Sequence, residues 1–254
     1  MERDQYARMR RFEEVGWWFR LKRDFVYGLL QDGLAAKRGG AGPRRVADVG
    51  AGTGIVLGQL PMQALAVGFE FDAGAIGMSQ ERGLTDLVQA SAVELPAASG
   101  AFDAVLALDV LEHLDDDVAA MREMRRILRP DGVAVITVPA HPALWSPHDE
   151  VLHHRRRYRR EELRTKLADA DLDIEQLSFA FATVLPLACV VRPIRRLLGR
   201  IASVPPSDDF IELPAFVERG LYNLCRWEVP IVRRGRLPIG LSLVALCRAT
   251  PSRG

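Results

Sequence analysis

The sequence predicts an α/β fold: a doubly wound sheet of seven strands with an N-terminal helical lid and a helical insertion before the last strand. Three observations predict it. Short apolar runs alternate with helix-like stretches from Arg45 to Ala180, the pattern of a mainly parallel sheet. Three glycines, Gly50, Gly52 and Gly54, fall within five positions just after the first run. The final apolar run, "LSLVALCRA", is separated from the others by about fifty residues of helical character, Phe181 to Pro238, too many for a simple loop.

The elements follow in chain order. Residues 1–38 have apolar residues at helical spacing, as in "RFEEVGWWFRLKRDFVYGLL", and "KRGGAGP" follows as a linker. Arg45–Val49 reads as a buried strand and Gly54–Leu60 as a short helix stopped by Pro61. Ala64–Phe69 is the second strand, Ala73–Glu81 a helix, Asp86–Ala90 the third strand and Phe102–Leu108 the fourth. In "DDDVAAMREMRRILRPDG", Val118, Met121, Met124 and Ile127/Leu128 share one helical face. Aspartates open that helix and arginines close it, as the helix dipole prefers, and Pro130-Asp131-Gly132 is read as its end. "VAVITVP" lacks alternation and so reads as a strand buried on both faces. "REELRTKLADA" is the next helix and "LDIEQLSFA" the sixth strand. The insertion contains two helical stretches, "VVRPIRRLLGRIASV" and "PAFVERGLYNLCRWEVPIVRR". These readings give one domain over 1–254: a cap at 1–38, a core at 44–180, a second cap at 181–238 and a final strand at 239–249.

Composition narrows the function. The chain has 254 residues, 48% hydrophobic and 26% charged, with a net charge of +1, so no overall field points to nucleic acid. Cys189, Cys225 and Cys247 are odd in number and have no metal or redox spacing, which suits reduced thiols in a cytoplasmic protein. "MERDQYARMRRFEE" has no apolar core of a signal peptide, and the longest apolar run, Phe179 to Val191, is too short to span a bilayer. No metal-ligand constellation is evident along the chain, and none is expected.

The glycine loop lies at a C-terminal strand edge, where open sheets of this kind bind ligands. Its spacing is G-x-G-x-G, unlike the G-x-G-x-x-G of dinucleotide folds, and no Gly-Lys-Ser/Thr follows for a nucleoside triphosphate. Asp48 precedes it. A carboxylate there repels a pyrophosphate and attracts an ammonium or sulfonium. Glu70, at the tip of the second strand, has the position of an acid that accepts hydrogen bonds from a ribose diol.

The segments "VADVGAGTG", "VGFEFD", "ASAVELP", "FDAVLALDVLEHL" and "LRPDGVAVITVP" together resemble the class I S-adenosylmethionine-dependent methyltransferases, in family order, over Val46 to Pro139. The resemblance implies a Rossmann-like sheet whose last strand is antiparallel, and S-adenosylmethionine as cofactor. It implies that Gly50, Ala51, Gly52 and Gly54 approach the methionine part and ribose, that Asp48 orients the amino group and that Glu70 holds the ribose hydroxyls. Phe71 lies on the adenine face, Ser91 and Ala92 meet the adenine edge, and Asp109 faces the methyl donor. Ser91 departs from the aspartate many relatives have there, which weakens that contact. A longer likeness, through "WWFRLKR", "PALWSPHDEVLHHRRRY" and "LPIGLSLVALCRA", is to methyltransferases of small molecules or glycans, and it does not fix a substrate.

Four of the five histidines lie in "HPALWSPHDEVLHHRRRYRR", after the fifth strand. Histidine titrates near neutral pH, so His148 and His154 are the candidates for a general base; the alternative is that they bond loop backbone or face solvent. His113 is read as structural, behind Asp109. His141, Arg156, Arg157 and Tyr158 are candidate acceptor contacts, with the arginines as a clamp for an anion or as a solvated basic turn. Trp17 and Trp18 are candidate acceptor contacts in a lid over the cofactor or acceptor; the alternative is simple docking of an amphipathic helix onto the core. Three adjacent aromatics, with Phe19, cannot all face one way on a helix, which favours a cleft or a dimer contact. The 181–238 insertion is read as a substrate cap, with a membrane-surface role as the less favoured alternative. The leading function is methyl transfer to a small-molecule acceptor such as a secondary metabolite or sugar. The alternatives are a lipid-linked or membrane-proximal acceptor, or a non-catalytic cofactor-binding partner subunit. Whether oxygen, nitrogen or carbon is methylated, and whether the protein is a monomer or a homodimer, stay open.

Overall fold

The computed structural model describes residues 10–35, 44–61, 64–202 and 213–249; of the side chains of residues 193 and 195–202 only the backbone path is described. The start of the predicted cap (1–9), the 37–43 linker and the predicted helix end at 203–204 lie outside the described residues. Residues 10–15 are helical, and Gly16 breaks them from α1 (Trp17–Ala35). The order continues β1 (Arg44–Val49), α2 (Ile55–Gly58), β2 (Ala64–Glu70), α3 (Ala73–Glu81), β3 (Leu87–Gln89), β4 (Phe102–Leu108), α4 (Asp117–Ile127) and β5 (Leu128–Pro139). It ends with α5 (Pro147–Val151), α6 (Arg160–Asp169), β6 (Leu172–Ala180), α7 (Leu185–Ala202), α8 (Ala215–Cys225), α9 (Val229–Val232) and β7 (Ser242–Ala249).

The seven strands form one sheet in the order β3-β2-β1-β4-β5-β7-β6. The first five in chain order are parallel, and β7 is antiparallel to both β5 and β6. Strand side chains alternate between two cores, as the pleat requires. Ala47, Val105, Ala134, Ile136 and Ala245 face a core completed by Met121, Met124 and Ile127 of α4 and Leu163 and Leu167 of α6. Val46, Leu106, Val133, Val135 and Leu246 face the other, completed by Leu21, Phe25, Leu29 and Leu30 of α1. The N-terminal helix is therefore a structural layer of the sandwich. Arg233 of the insertion holds it at its far end by a bidentate ion pair to Asp32, at 2.5 and 2.9 Å.

The predicted boundaries shift in three places. Helix α4 stops at Ile127, three residues before Pro130, because Leu128 already pairs with Phe102 of β4. The Pro130-Asp131-Gly132 turn is absorbed as an irregularity within β5, where Asp131 adopts φ 62°. The predicted Gly54–Leu60 helix is a single turn, and β3 shortens to three residues. Short elements at Leu111–His113, Pro142–Leu144 and Pro147–Val151 have too few residues to give a periodic signal.

Candidate cofactor and acceptor site

The tips of β1, β2, β4 and β5 converge on the glycine loop. Gly50, Gly52 and Gly54 all have positive φ, at 74°, 55° and 76°. Packing adds a second constraint. A Cβ on Gly50 would lie 2.3 Å from Val110 Cγ2, and one on Gly54 would lie 2.3 Å from Leu84 Cδ1. The loop thus needs glycine for its turn and for its close approach to the β4 exit. Gly50 and Ala51 donate to the Phe69 carbonyl, at 2.8 and 3.1 Å.

Glu70 is buried at the tip of β2. Its two carboxylate oxygens accept the backbone N–H groups of Gly52, at 2.8 Å, and Asp72, at 2.9 Å. The acid and the glycine loop are therefore one rigid unit, and each oxygen keeps a lone pair for a further donor. Asp48 is buried beneath this unit, and burial, then the charge of Glu70, pushes its carboxyl up to about 7. Phe71 is exposed beside Glu70, its carbonyl accepting from Gln89. Ser91 and Ala92 lie in a half-buried turn just beyond β3, where Ser91 Oγ accepts the Val93 N–H at 3.4 Å.

Across the loop, Asp109 follows β4 with φ 55°. Its carboxylate accepts from Thr137 Oγ1 at 2.7 Å and forms an ion pair with Lys22 of α1. Burial alone would raise the Asp109 carboxyl, but the Lys22 ammonium outweighs it and holds it below its ordinary value. Lys22 is a site residue the sequence reading missed, since its partner is distant in the chain. Residues 10–15 close over the glycine loop from the same side. Glu13 accepts from Thr53 of the loop and pairs with Arg82 at 3.2 Å. Tyr27 Oη donates to the Val56 carbonyl at 2.8 Å.

The histidine-rich segment folds back onto the β4 exit. Asp149, fully buried, accepts from Arg157 at 2.7 and 3.0 Å and from the Ser146 backbone at 2.8 Å. Its Oδ1 lies 3.0 Å from His154 Nδ1. Burial would raise Asp149, but the His154 contact and the Arg157 guanidinium hold it well below the carboxylate range. His154 stands edge-on to His113, with ring centroids 4.8 Å apart, and its Nε2 lies 4.0 Å from Glu112 Oε1. Glu112 is wholly buried, neither of its carboxylate oxygens has a hydrogen-bond partner among the described residues, and burial pushes its carboxyl far up. Burial, then His154, lowers His113 to about 4. His148 is farther out, its ring 6.4 Å from that of His154. Asp109, Glu112, His113 and His154 thus form one cluster at the β4 exit. Glu112 was missed in the sequence reading; an acid between Leu111 and His113 at the exit of the fourth strand was the available signal.

Two expectations are corrected. Tyr158 is fully buried, with its hydroxyl 2.7 Å from Asp117, and Arg157 is committed to Asp149 and the Ala140 carbonyl, so neither is open to an acceptor. Arg156 donates to the Leu114 and Asp115 carbonyls, both at 2.9 Å, so the anion clamp has no free guanidinium in these two arginines. His141 stacks on Phe179 at 5.2 Å, with a buried Nε2 that has no hydrogen-bond partner among the described residues. Trp18 stacks on Phe181 at 3.5 Å and Trp17 meets both rings edge-on. The two tryptophans join α1 to the start of the insertion.

Residues 47–136 match the methyltransferase domain family. Over 112 residues the chain is 31% identical to the demethylmenaquinone methyltransferase of Corynebacterium kroppenstedtii, a match covering 42% of this chain and 48% of that one. The chain spans about half the length of the curated relatives it matches. Two solved structures share the fold. One is a methyltransferase in complex with the Haloferax volcanii Trm112 activator, with a TM-score of 0.56 and 19% identity over 96% of this chain and 97% of that one. The other is the geranyl diphosphate C-methyltransferase from Streptomyces coelicolor A3(2), solved with Mg2+, geranyl diphosphate and S-adenosyl-L-homocysteine. Its TM-score is 0.54 at 16% identity, over 88% of this chain and 78% of that one. The sheet order and the antiparallel last strand are those of Rossmann-like methyltransferases. Residues 47–136 carry the methyltransferase domain, and the relatives and the fold together support a class I S-adenosylmethionine-dependent methyltransferase with S-adenosylmethionine as cofactor.

Proposed function

We propose that this protein transfers the methyl group of S-adenosylmethionine to a small-molecule acceptor held at the β4 exit. The observation that carries the proposal is Glu70, locked to the Gly52 N–H with lone pairs left over, as a ribose diol requires. In this reading Gly50, Ala51, Gly52 and Gly54 line the methionine part and ribose, and buried Asp48 faces the amino group. Phe71, Ser91 and Ala92 flank the adenine, and Asp109 faces the methyl donor.

The reaction is an in-line displacement. An acceptor lone pair forms the bond to the methyl carbon as the carbon–sulfur bond breaks, and the sulfur keeps that electron pair. The positive charge on sulfur vanishes, so alignment is the protein's main task. An acceptor that must lose a proton gives it up toward the histidine cluster. His148 and His154 are the candidates. His154→Ala and His148→Ala are expected to lower turnover with little change in cofactor affinity, and unaltered rates in both would remove them from the mechanism. The direct test is methyl-labelled S-adenosylmethionine incubated with a panel of phenols, sugars and prenylated quinols. Label transferred to one class supports the reading; cofactor binding with no transfer to any of them supports the non-catalytic alternative.

A second reading, a lipid-linked acceptor, draws on α7. Leu187, Val190 and Ile194 recur at helical spacing and are all exposed. Salt-sensitive sedimentation with anionic liposomes would support it. Among the described residues no helix is long and apolar enough to cross a membrane.

A further inference from the structure

We infer that Glu112, His113 and His154 form a binding site for one divalent transition-metal ion of the zinc type. One ligand atom from each lies within 4.8 Å of the other two. Zinc–nitrogen and zinc–oxygen bonds of about 2.0–2.2 Å put tetrahedral ligands roughly 3.4 Å apart. Side-chain rotation of about an ångström therefore closes the set.

Three features beyond proximity point to a cation. First, Glu112 is fully buried and, among the described residues, both its carboxylate oxygens lack a hydrogen-bond partner. A carboxylate in that state is costly unless a cation or a proton meets it. Second, His154 is oriented as a ligand. Its Nδ1 lies 3.0 Å from Asp149, which as a carboxylate can only accept, so Nδ1 donates there and Nε2 is the nitrogen turned toward Glu112, at 4.0 Å. A carboxylate behind the distal nitrogen is the outer-shell arrangement of metal-binding histidines. Third, that carboxylate is itself fixed, by Arg157 and by Ser146. The neighbouring acids are already balanced, Asp109 by Lys22 and Asp149 by Arg157, which leaves Glu112 as the buried acid of this cluster without a hydrogen-bond partner among the described residues. Two imidazoles and one carboxylate favour zinc over magnesium or calcium, which prefer all-oxygen sets.

A metal on His154 Nε2 takes the lone pair that a base would use, which leaves His148 for that role, and the test of the site does not use activity. Cobalt(II) replaces zinc in such ligand sets and absorbs visible light once nitrogen ligands bind it. Titrating the full-length protein with cobalt(II) is expected to give visible bands that saturate at one equivalent. Zinc should abolish them. Glu112→Gln, His113→Gln and His154→Gln should each lose the bands, and Asp149→Asn should weaken binding about 10–100-fold. His141→Gln should leave them unchanged. Should Glu112→Gln fail to fold by thermal melting, the half-buried His113 carries the test. No bands in the wild-type protein, or bands that persist in all the folded ligand variants, would overturn the site. S-adenosylhomocysteine calorimetry on the same samples reports on the cofactor separately.

Discussion

Lys22 of α1 and Asp109 at the exit of β4 form an ion pair across 87 positions of chain. It ties the N-terminal helix to the point where the methyl donor is proposed to face the acceptor. Asp109 is held below its ordinary value, so the stability it contributes is present above the unfolded carboxylate pKa, about 3.9, and is lost as pH falls through the lower folded value. Lys22→Met is expected to cost about 1–2 kcal/mol at pH 7, discounted for partial exposure. The gap to wild type in urea denaturation should narrow below about pH 4. A gap that does not change with pH would show that the helix loses only packing.

Asp48 has the opposite sign. Its folded carboxyl is raised to about 7, so the folded protein keeps a proton that the unfolded chain gives up from about pH 4. Stability of the cofactor-free protein should therefore fall as pH rises over that window, and Asp48→Asn should flatten the fall. A cationic amino group beside Asp48 favours its ionised form. Cofactor-product binding near pH 6.5 should release a proton, seen as a calorimetric heat that depends on the buffer. A buffer-independent heat would separate Asp48 from the amino group.

Glu13 joins residues 10–15 to the glycine loop through Thr53 and Arg82. Glu13→Ala should cost about 1.5–3 kcal/mol, the worth of a hydrogen bond to a charged group, and should speed amide exchange in residues 10–15. Exchange at the wild-type rate would mean that the segment is held by its apolar contacts alone.

The basic run is internal architecture at three positions. Arg157→Met leaves Asp149 buried without its guanidinium and should cost about 3–5 kcal/mol. Tyr158→Phe loses one bond to Asp117, which Lys166 still holds, and should cost about 0.5–1.5 kcal/mol. Neither change should alter the Michaelis constant for an acceptor once the protein is folded. A raised constant for Tyr158→Phe would return the tyrosine to the acceptor site.

The fold was legible because its signals are local. Unalternated apolar runs marked β1, β4 and β5, and the acid at the tip of β2 could be placed by counting from the glycine loop. What was not legible is pairing across the chain. Arg156 and Arg157 read as a clamp or a solvated turn because their partners, at 114–117 and 149, are set by the fold. Lys22 looked like one more charge on an amphipathic helix. The burial of Glu112 follows from the return of 147–158 over the β4 exit, through the Ala140–Tyr158 bridge and the Arg155 N–H to the Glu112 carbonyl at 2.7 Å. No periodicity encodes that return.

The central claim is that the glycine loop and Glu70 together hold S-adenosylmethionine. Titration calorimetry with S-adenosylhomocysteine, on wild type and on Glu70→Ala, tests it most directly. One site per chain is expected for wild type, with affinity about ten- to hundredfold weaker in the variant. No binding to the wild-type protein, or equal affinity in both, would contradict the account.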